Sequence, residues 1–299
     1  MKKVLSSVLG ALFALGVAAP KASAVTLIAG AENEAFFNNF EVLLDASGNI
    51  RAADATPEVG NHLFGIFNVQ NIDANGGTNF FAGATDQLTG VFSQKIIGIS
   101  ADPGTGILHL TLGNPTLSTY AGISSPFSSG EMFRLYTQTG GGTTPFESNG
   151  TIADDVTKAT DGALWATLGL DATNGLGVDG IPGTPDDTGY AYSHPVLGPN
   201  LTGEAWGGLT FKINNTGYAF DGINDVNETE IGGTTLLNQF VFSSEFELNQ
   251  RFTQGVSPWE FASNDPAKIH PSVVPEVSSL WMLGMGLSGF GVFRRRKTA

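Results

Sequence analysis

Between residues 25 and 273 no stretch sustains a helical hydrophobic period; short apolar or alternating runs recur instead, cut by glycine, asparagine, aspartate and proline. Ile107-Leu108-His109-Leu110-Thr111-Leu112 alternates most cleanly. A period of two sends successive side chains to opposite faces of a strand. Similar runs span Phe36 to Leu44, Leu63 to Val69, Val91 to Ile99, Met132 to Thr137, Ala163 to Leu170, Leu209 to Ile213 and Phe240 to Leu248. Many of the 21 phenylalanines sit in these runs, and Phe suits a pleated, half-buried surface. Many short strands with closely spaced turn signals predict an all-β fold, an antiparallel sandwich or jelly-roll-like ectodomain. One short helix is expected within 151–165, capped near Asp154 and Asp155.

Breaks between the runs suggest the organisation. Gly140-Gly141-Gly142-Thr143-Thr144-Pro145 reads as a linker or a long hairpin loop. Residues 171–203, rich in Asp, Gly, Pro and Asn, read as an extended loop. Residues 250–273, with Pro258, Pro266 and Pro271, read as a spacer after a β-rich ectodomain at 25–249.

Both ends carry membrane-directed segments. Lys2 and Lys3 precede an apolar run from Val4 to Ala19, and Ala22-Ser23-Ala24 forms a small-residue cleavage site. That pattern predicts a signal peptide over 1–24 and a mature start near Val25. At the other end Val277 to Phe293 contains no charge, and Arg294, Arg295, Arg296 and Lys297 follow. As a helix at about 1.5 Å per residue, that run approaches the length that spans a bilayer. Four cations resist crossing and stay cytoplasmic. The two ends independently place 25–273 outside the cytoplasm.

The residues Val274, Pro275, Glu276 and Ser278, with the apolar run and the basic end, resemble the PEP-CTERM sorting signal of Gram-negative bacteria. The chain departs from that family at Val277, where the family has a second proline. The resemblance covers residues 274–299 alone. It implies export, recognition by an exosortase-type processing enzyme, an inner-membrane-tethered intermediate, and a cell-surface or extracellular destination in an exopolysaccharide or biofilm setting.

Composition narrows the partners. Seven of the 14 basic residues lie in the terminal segments against one of the 28 acids, which leaves 25–273 with 27 acids and 7 bases. An excess of negative charge disfavours nucleic acid and anionic lipid. The chain has no cysteine, which excludes disulfides, thiolate metal sites and thiol nucleophiles.

Chemical motifs are sparse. Asp179, Asp186 and Asp187, with Asp171 nearby, lie in a glycine-rich loop and are the weak candidates for calcium, which prefers clustered oxygens. A second acidic run at Asp221, Asp225, Asn227, Glu228 and Glu230 departs from the EF-hand pattern at Glu230 and Leu236. Asx-turn chemistry is the preferred reading of both loops. No GxSxG and no HExxH occurs, and His62, His109, His194 and His270 are dispersed. Asp154 and Asp155 form an acidic pair, although neighbours in a strand point apart. Trp165, Trp206, Trp259, Tyr190, Tyr192 and Tyr218 could form a sugar-stacking platform or pack in the interior. No catalytic residue and no organic cofactor is predicted. The leading expectation is an exported, non-catalytic cell-surface or extracellular-matrix protein that contacts polysaccharide. The alternatives are a carbohydrate- or calcium-binding secreted module and a secreted hydrolase.

Overall fold

The computed structural model describes residues 25–52, 55–82, 86–101, 107–138, 146–171, 174–175, 189–196, 202–225, 236–248 and 257–273. The segments expected as signal peptide (1–24), transmembrane run (277–293) and sorting signal (274–299) lie outside them. The strands are β1 (Asn33–Leu44), β2 (His62–Ala74), β3 (Gly77–Phe81), β4 (Gln87–Ala101), β5 (Leu108–Gly113), β6 (Thr119–Tyr120), β7 (Ile123–Ser124) and β8 (Phe133–Gln138). One helix, α1 (Ile152–Thr160), follows. Then come β9 (Ala163–Gly169), β10 (Tyr190–Val196), β11 (Thr202–Asn214), β12 (Tyr218–Asp221), β13 (Ile223–Asp225), β14 (Leu236–Asn238), β15 (Phe240–Leu248) and β16 (Phe261–Val273). Among the described residues no helix is long and apolar enough to cross a membrane.

The strand order closes on itself. Going around, β4 pairs with β8, then come β9, β11, β15, β16, β1 and β2, and β2 pairs back to β4, every neighbour antiparallel. Two long strands change partner along one edge. Gln87 to Phe92 of β4 face β8, whereas Lys95 to Ala101 face β5. Thr202 to Gly208 of β11 face β10, whereas Thr210 to Asn214 face β9. The β5–β10 pair thus bridges β4 and β11 where β8–β9 does not reach. The all-β, antiparallel expectation holds. Opposite walls pack across one core, as the layers of a sandwich do, with their edges joined.

Alternation supplies that core. Phe37 and Leu43 of β1, Phe67 of β2, Phe92 of β4, Phe133 of β8 and Phe242 of β15 all enter the same cluster. Phe133 lies at its centre, with ring centroids 5.4 Å from Phe92 and 5.7 Å from Phe242. The rings fit because glycines oppose them. Gly65 pairs with Phe92, Gly90 with Phe67 and Gly207 with Phe242. A Cβ at Gly65 would lie 2.5 Å from both the Phe92 ring and the Phe40 carbonyl oxygen. A Cβ at Gly90 would lie 2.4 Å from the Phe67 ring.

The opposite faces of β1, β2 and β4 build a second core outside the ring. Val42, Leu44, Phe64, Ile66 and Val91 meet Ile152, Val156 and Ala159 of α1, together with Tyr120 and Trp259. Thr151 caps the helix, its Oγ1 accepting from the Asp154 amide at 3.2 Å. The helix ends sooner than expected, because Leu164 to Leu168 are taken into the sheet as part of β9 between β8 and β11. At the junction Gly162 approaches the wall so closely that a Cβ would lie 2.6 Å from the Thr137 carbonyl oxygen.

Two expected irregular segments contain strands. Within the expected loop 171–203, Tyr190 to Val196 form β10; the alternation of Tyr190, Tyr192 and His194 with Ala191, Ser193 and Pro195 is short and flanked by turn residues. Within the expected spacer 250–273, residues 261–273 form β16, which lies between β1 and β15. Its prolines sit where pairing to β15 is absent, although Pro266 is in register with Phe36 of β1 and Pro271 with Phe220 of β12. Pro266 falls in the gap between the Phe242–Ala267 and Glu245–Asn264 pairs, and Pro271 falls after β16 has left β15 for β12. The barrel wall therefore runs to Val273, beside the expected sorting motif.

Gly65→Ala is expected to destabilise the fold by about 1–3 kcal/mol, because the new methyl meets backbone as well as a ring. Urea denaturation followed by circular dichroism measures this as a lower midpoint at unchanged slope.

Candidate functional site

Inward positions 37, 39, 41 and 43 of β1 share one face. Two are apolar, Phe37 and Leu43, and two are Asn39 and Glu41. With Gln94 of β4 and Ser193 of β10 they line a cavity of about 60 Å³ inside the barrel, beneath Ala55 and Pro57 of the β1–β2 connection. Phe92, Phe133, Phe242 and Phe261 complete its wall. Phe37 and Phe133 also border a second cavity of about 30 Å³, whose lining, including Trp165 and Ile269, is entirely apolar.

The polar side chains of the larger cavity differ in their bonding. Asn39 is held on both sides: its Oδ1 accepts from the Ser263 amide at 3.1 Å and from the Ser263 hydroxyl, and its Nδ2 donates to Glu41 Oε1 at 3.4 Å. Gln94 is only 4% exposed, and its Nε2 has no hydrogen-bond partner among the described residues. An amide buried that way forfeits about 1–3 kcal/mol relative to one with a partner.

The dispersed histidines separate by environment. His109 of β5 and His194 of β10 meet on the outer face with ring centroids 4.1 Å apart, and His194 also meets Trp206 edge-on at 4.5 Å. His270 stands 3.4 Å from Asp221 at the β12–β16 pair. His62 is buried, and its Nε2 accepts from the Thr116 amide at 3.3 Å. Burial, with the Lys95 ammonium second, depresses its pKa to about 4.

The acidic pair at the helix start divides its roles. Asp154 is exposed and accepts from the Thr151 hydroxyl at 2.8 Å. Asp155 is fully buried and accepts from Trp259 Nε1 at 2.9 Å and from the Gly150 amide at 3.0 Å. Burial raises its pKa, against the lowering effect of those hydrogen bonds. Asp155 thus ties α1 to the segment that enters β16. Asp171 Oδ1 accepts from the Gly175 amide at 2.8 Å, so this carboxylate is bonded to backbone four residues on.

Of the six aromatic candidates, Tyr190, Tyr192 and Trp206 gather on the outer face, each less than a tenth exposed. Trp165 belongs to the barrel core, and Trp259 is wholly buried under α1. Tyr218 accepts through its hydroxyl from the Leu27 amide at 3.4 Å. The six do not form one platform.

Several expected residues lie outside the described ones: the calcium candidates Asp179, Asp186 and Asp187, cleavage residues Ala22 and Ala24, motif residues Val274, Pro275, Glu276 and Ser278, and the basic stop Arg294, Arg295, Arg296 and Lys297. Among the described residues no three His, Asp or Glu side chains converge as a metal-binding group. Asn39, Glu41, Gln94 and Ser193 were not singled out by sequence reasoning; the available signal was a polar residue in register with Phe on the inward face of a strand. No family model, no curated protein and no solved structure matches the chain.

Two pH effects of opposite sign follow. His62 has a folded pKa below its ordinary 6.5, so its neutral form stabilises the fold above that value and the benefit is lost as pH falls toward about 4. Thermal melts should show that loss, on the order of 3 kcal/mol, and His62→Gln should flatten it. Asp155 has a folded pKa above its ordinary 3.8, so the fold gains stability as pH falls toward that value. Asp155→Asn should lack this gain between neutral and acid pH.

Proposed function

We propose that the chain is an exported, non-catalytic cell-surface or extracellular-matrix protein, sent out through its N-terminal segment and processed through its C-terminal sorting signal. The observation that carries this reading is the tripartite tail: Val274-Pro275-Glu276, an uncharged run from Val277 to Phe293, and four consecutive cations at 294–297. An exosortase-type enzyme is its processing partner, and the membrane holds the unprocessed form through the tail. The body from 25 to 273, with 27 acids against 7 bases, then stands on the far side of the membrane among polysaccharide.

The placement of the first and last described segments supports the reading. Asn33 of β1 pairs with Ile269 of β16, and the Gly30 amide donates to the Pro271 carbonyl at 2.7 Å. Residues 25–31 and the end of β16 therefore leave the same end of the barrel. Two flanking apolar segments could enter one bilayer without crossing the body. The described buried carboxylates are engaged in the fold: Asp155 holds Trp259 and Gly150, and Glu131 accepts from the Ser128 amide at 2.8 Å.

Intact-mass analysis of protein from its producer tests this. The expected species begins at Val25 and lacks the apolar run and the basic end. A mass that retains residues 278–299 would remove the processing step, and uncut chain dissolved in cytosol would end the reading altogether.

A further inference from the structure

We propose that the cavity bordered by Gln94, Asn39, Glu41 and Ser193 is a binding site for a small, uncharged, largely apolar molecule carrying one hydrogen-bond acceptor. This inference is independent of the sorting reading, because it concerns only the barrel interior.

Three observations carry it. The cavity, at about 60 Å³, exceeds the roughly 10–15 Å³ that one water requires and falls short of the roughly 150 Å³ that admits benzene. An eight-stranded ring leaves an interior either filled by side chains or able to hold one small ligand, and here phenylalanines, with other apolar side chains, fill the core around these two spaces. The lining is apolar apart from a few convergent polar groups, as small-molecule sites are. One of those groups, the Gln94 amide, lines the cavity, is 4% exposed and has an Nε2 without a partner among the described residues. A carbonyl, ether or hydroxyl oxygen placed there accepts from Nε2, while the carbon body rests on Phe92 and Phe133.

The same features set the class. A sugar ring is too large and too polar for this space. An anion would be buried beside Glu41 with no cation among the cavity's lining residues, and a simple cation would leave the unpartnered Gln94 Nε2 donor without the acceptor it needs. A ligand longer than a few heavy atoms requires Phe37 and Phe133 to turn, since these two rings border both cavities. Affinity should therefore pass through an optimum with length.

The experiment uses 2-alkanones from acetone to 2-octanone, which offer one acceptor and no donor, with the protein as its producer makes it. Affinities come from thermal-shift titration and saturation-transfer NMR. The expected result is saturable binding with a chain-length optimum, and a loss of about three- to tenfold in Gln94→Met, the worth of one hydrogen bond. Near-UV circular dichroism confirms that the variant is folded. If the variant does not fold, the wild-type series decides alone. Absence of saturable binding across the series means a cavity that holds water only, and it overturns the proposal. Affinity that rises with chain length without an optimum, or that is unchanged in folded Gln94→Met, overturns it equally.

Discussion

An aromatic ring lying over a cross-strand glycine is the contact on which the rest of this structure depends. Phe92 covers Gly65, Phe67 covers Gly90 and Phe242 covers Gly207. Glycine inside a strand is ordinarily a weakness, for it packs nothing and loses much conformational freedom on folding. Opposite phenylalanine it supplies the space that the ring needs. Rings from β2, β4, β8 and β15 can then reach the axis together, with Phe133 within 6.3 Å of four others. With no disulfide, that shared aromatic interior and the hydrogen bonds of the closed sheet hold the chain together.

Closing the sheet also allows it to be buried twice. From Gln87 to Gln94 every residue of β4 is buried, although Gln87, Thr89, Ser93 and Gln94 are polar. Alternate side chains enter the barrel, and the others lie under α1 and the 115–127 connection. Two of the outward polar groups are matched to that cover. Thr89 donates to the Ala159 carbonyl at 2.8 Å, and Gln87 Oε1 accepts from the Phe146 amide at 3.0 Å. A strand with polar residues at half its positions therefore forms part of a wall with no face to solvent.

This double burial decides what was legible in the sequence. The strands around Phe36, Leu63, Val91, Ile107 and Phe240 announce themselves by alternation, and the all-β class follows from them. β10 and β16 do not, because Pro195, Pro266 and Pro271 read as breakers, yet each falls in register with a neighbouring strand, and only the β15 side of β16 is interrupted beside Pro266. A helix was visible within 151–165, but its cap is Thr151 and not the expected Asp154 or Asp155, and its end was not legible. The pull of β8 and β11 on Leu164 to Leu168 is a tertiary effect. The interior polar residues were hidden most completely. Asn39 and Glu41 in Phe-Phe-Asn-Asn-Phe-Glu-Val-Leu look like the solvent side of a strand, and the face that they share with Phe37 and Leu43 emerges only when the ring is closed.

The seam between β1 and β16 has a temporal meaning. It joins Asn33 to Ile269, near opposite extremes of the folded body. A ring whose first and last members are neighbours has high contact order, and such topologies form slowly because a long loop must close first. However early the inner hairpins assemble, β1 and β15 each keep an open edge until the final strand arrives. A chain made from its N-terminus thus passes through a long interval as an incomplete curl with adhesive rims, and the barrel acquires its finished surface only after Val273 has emerged.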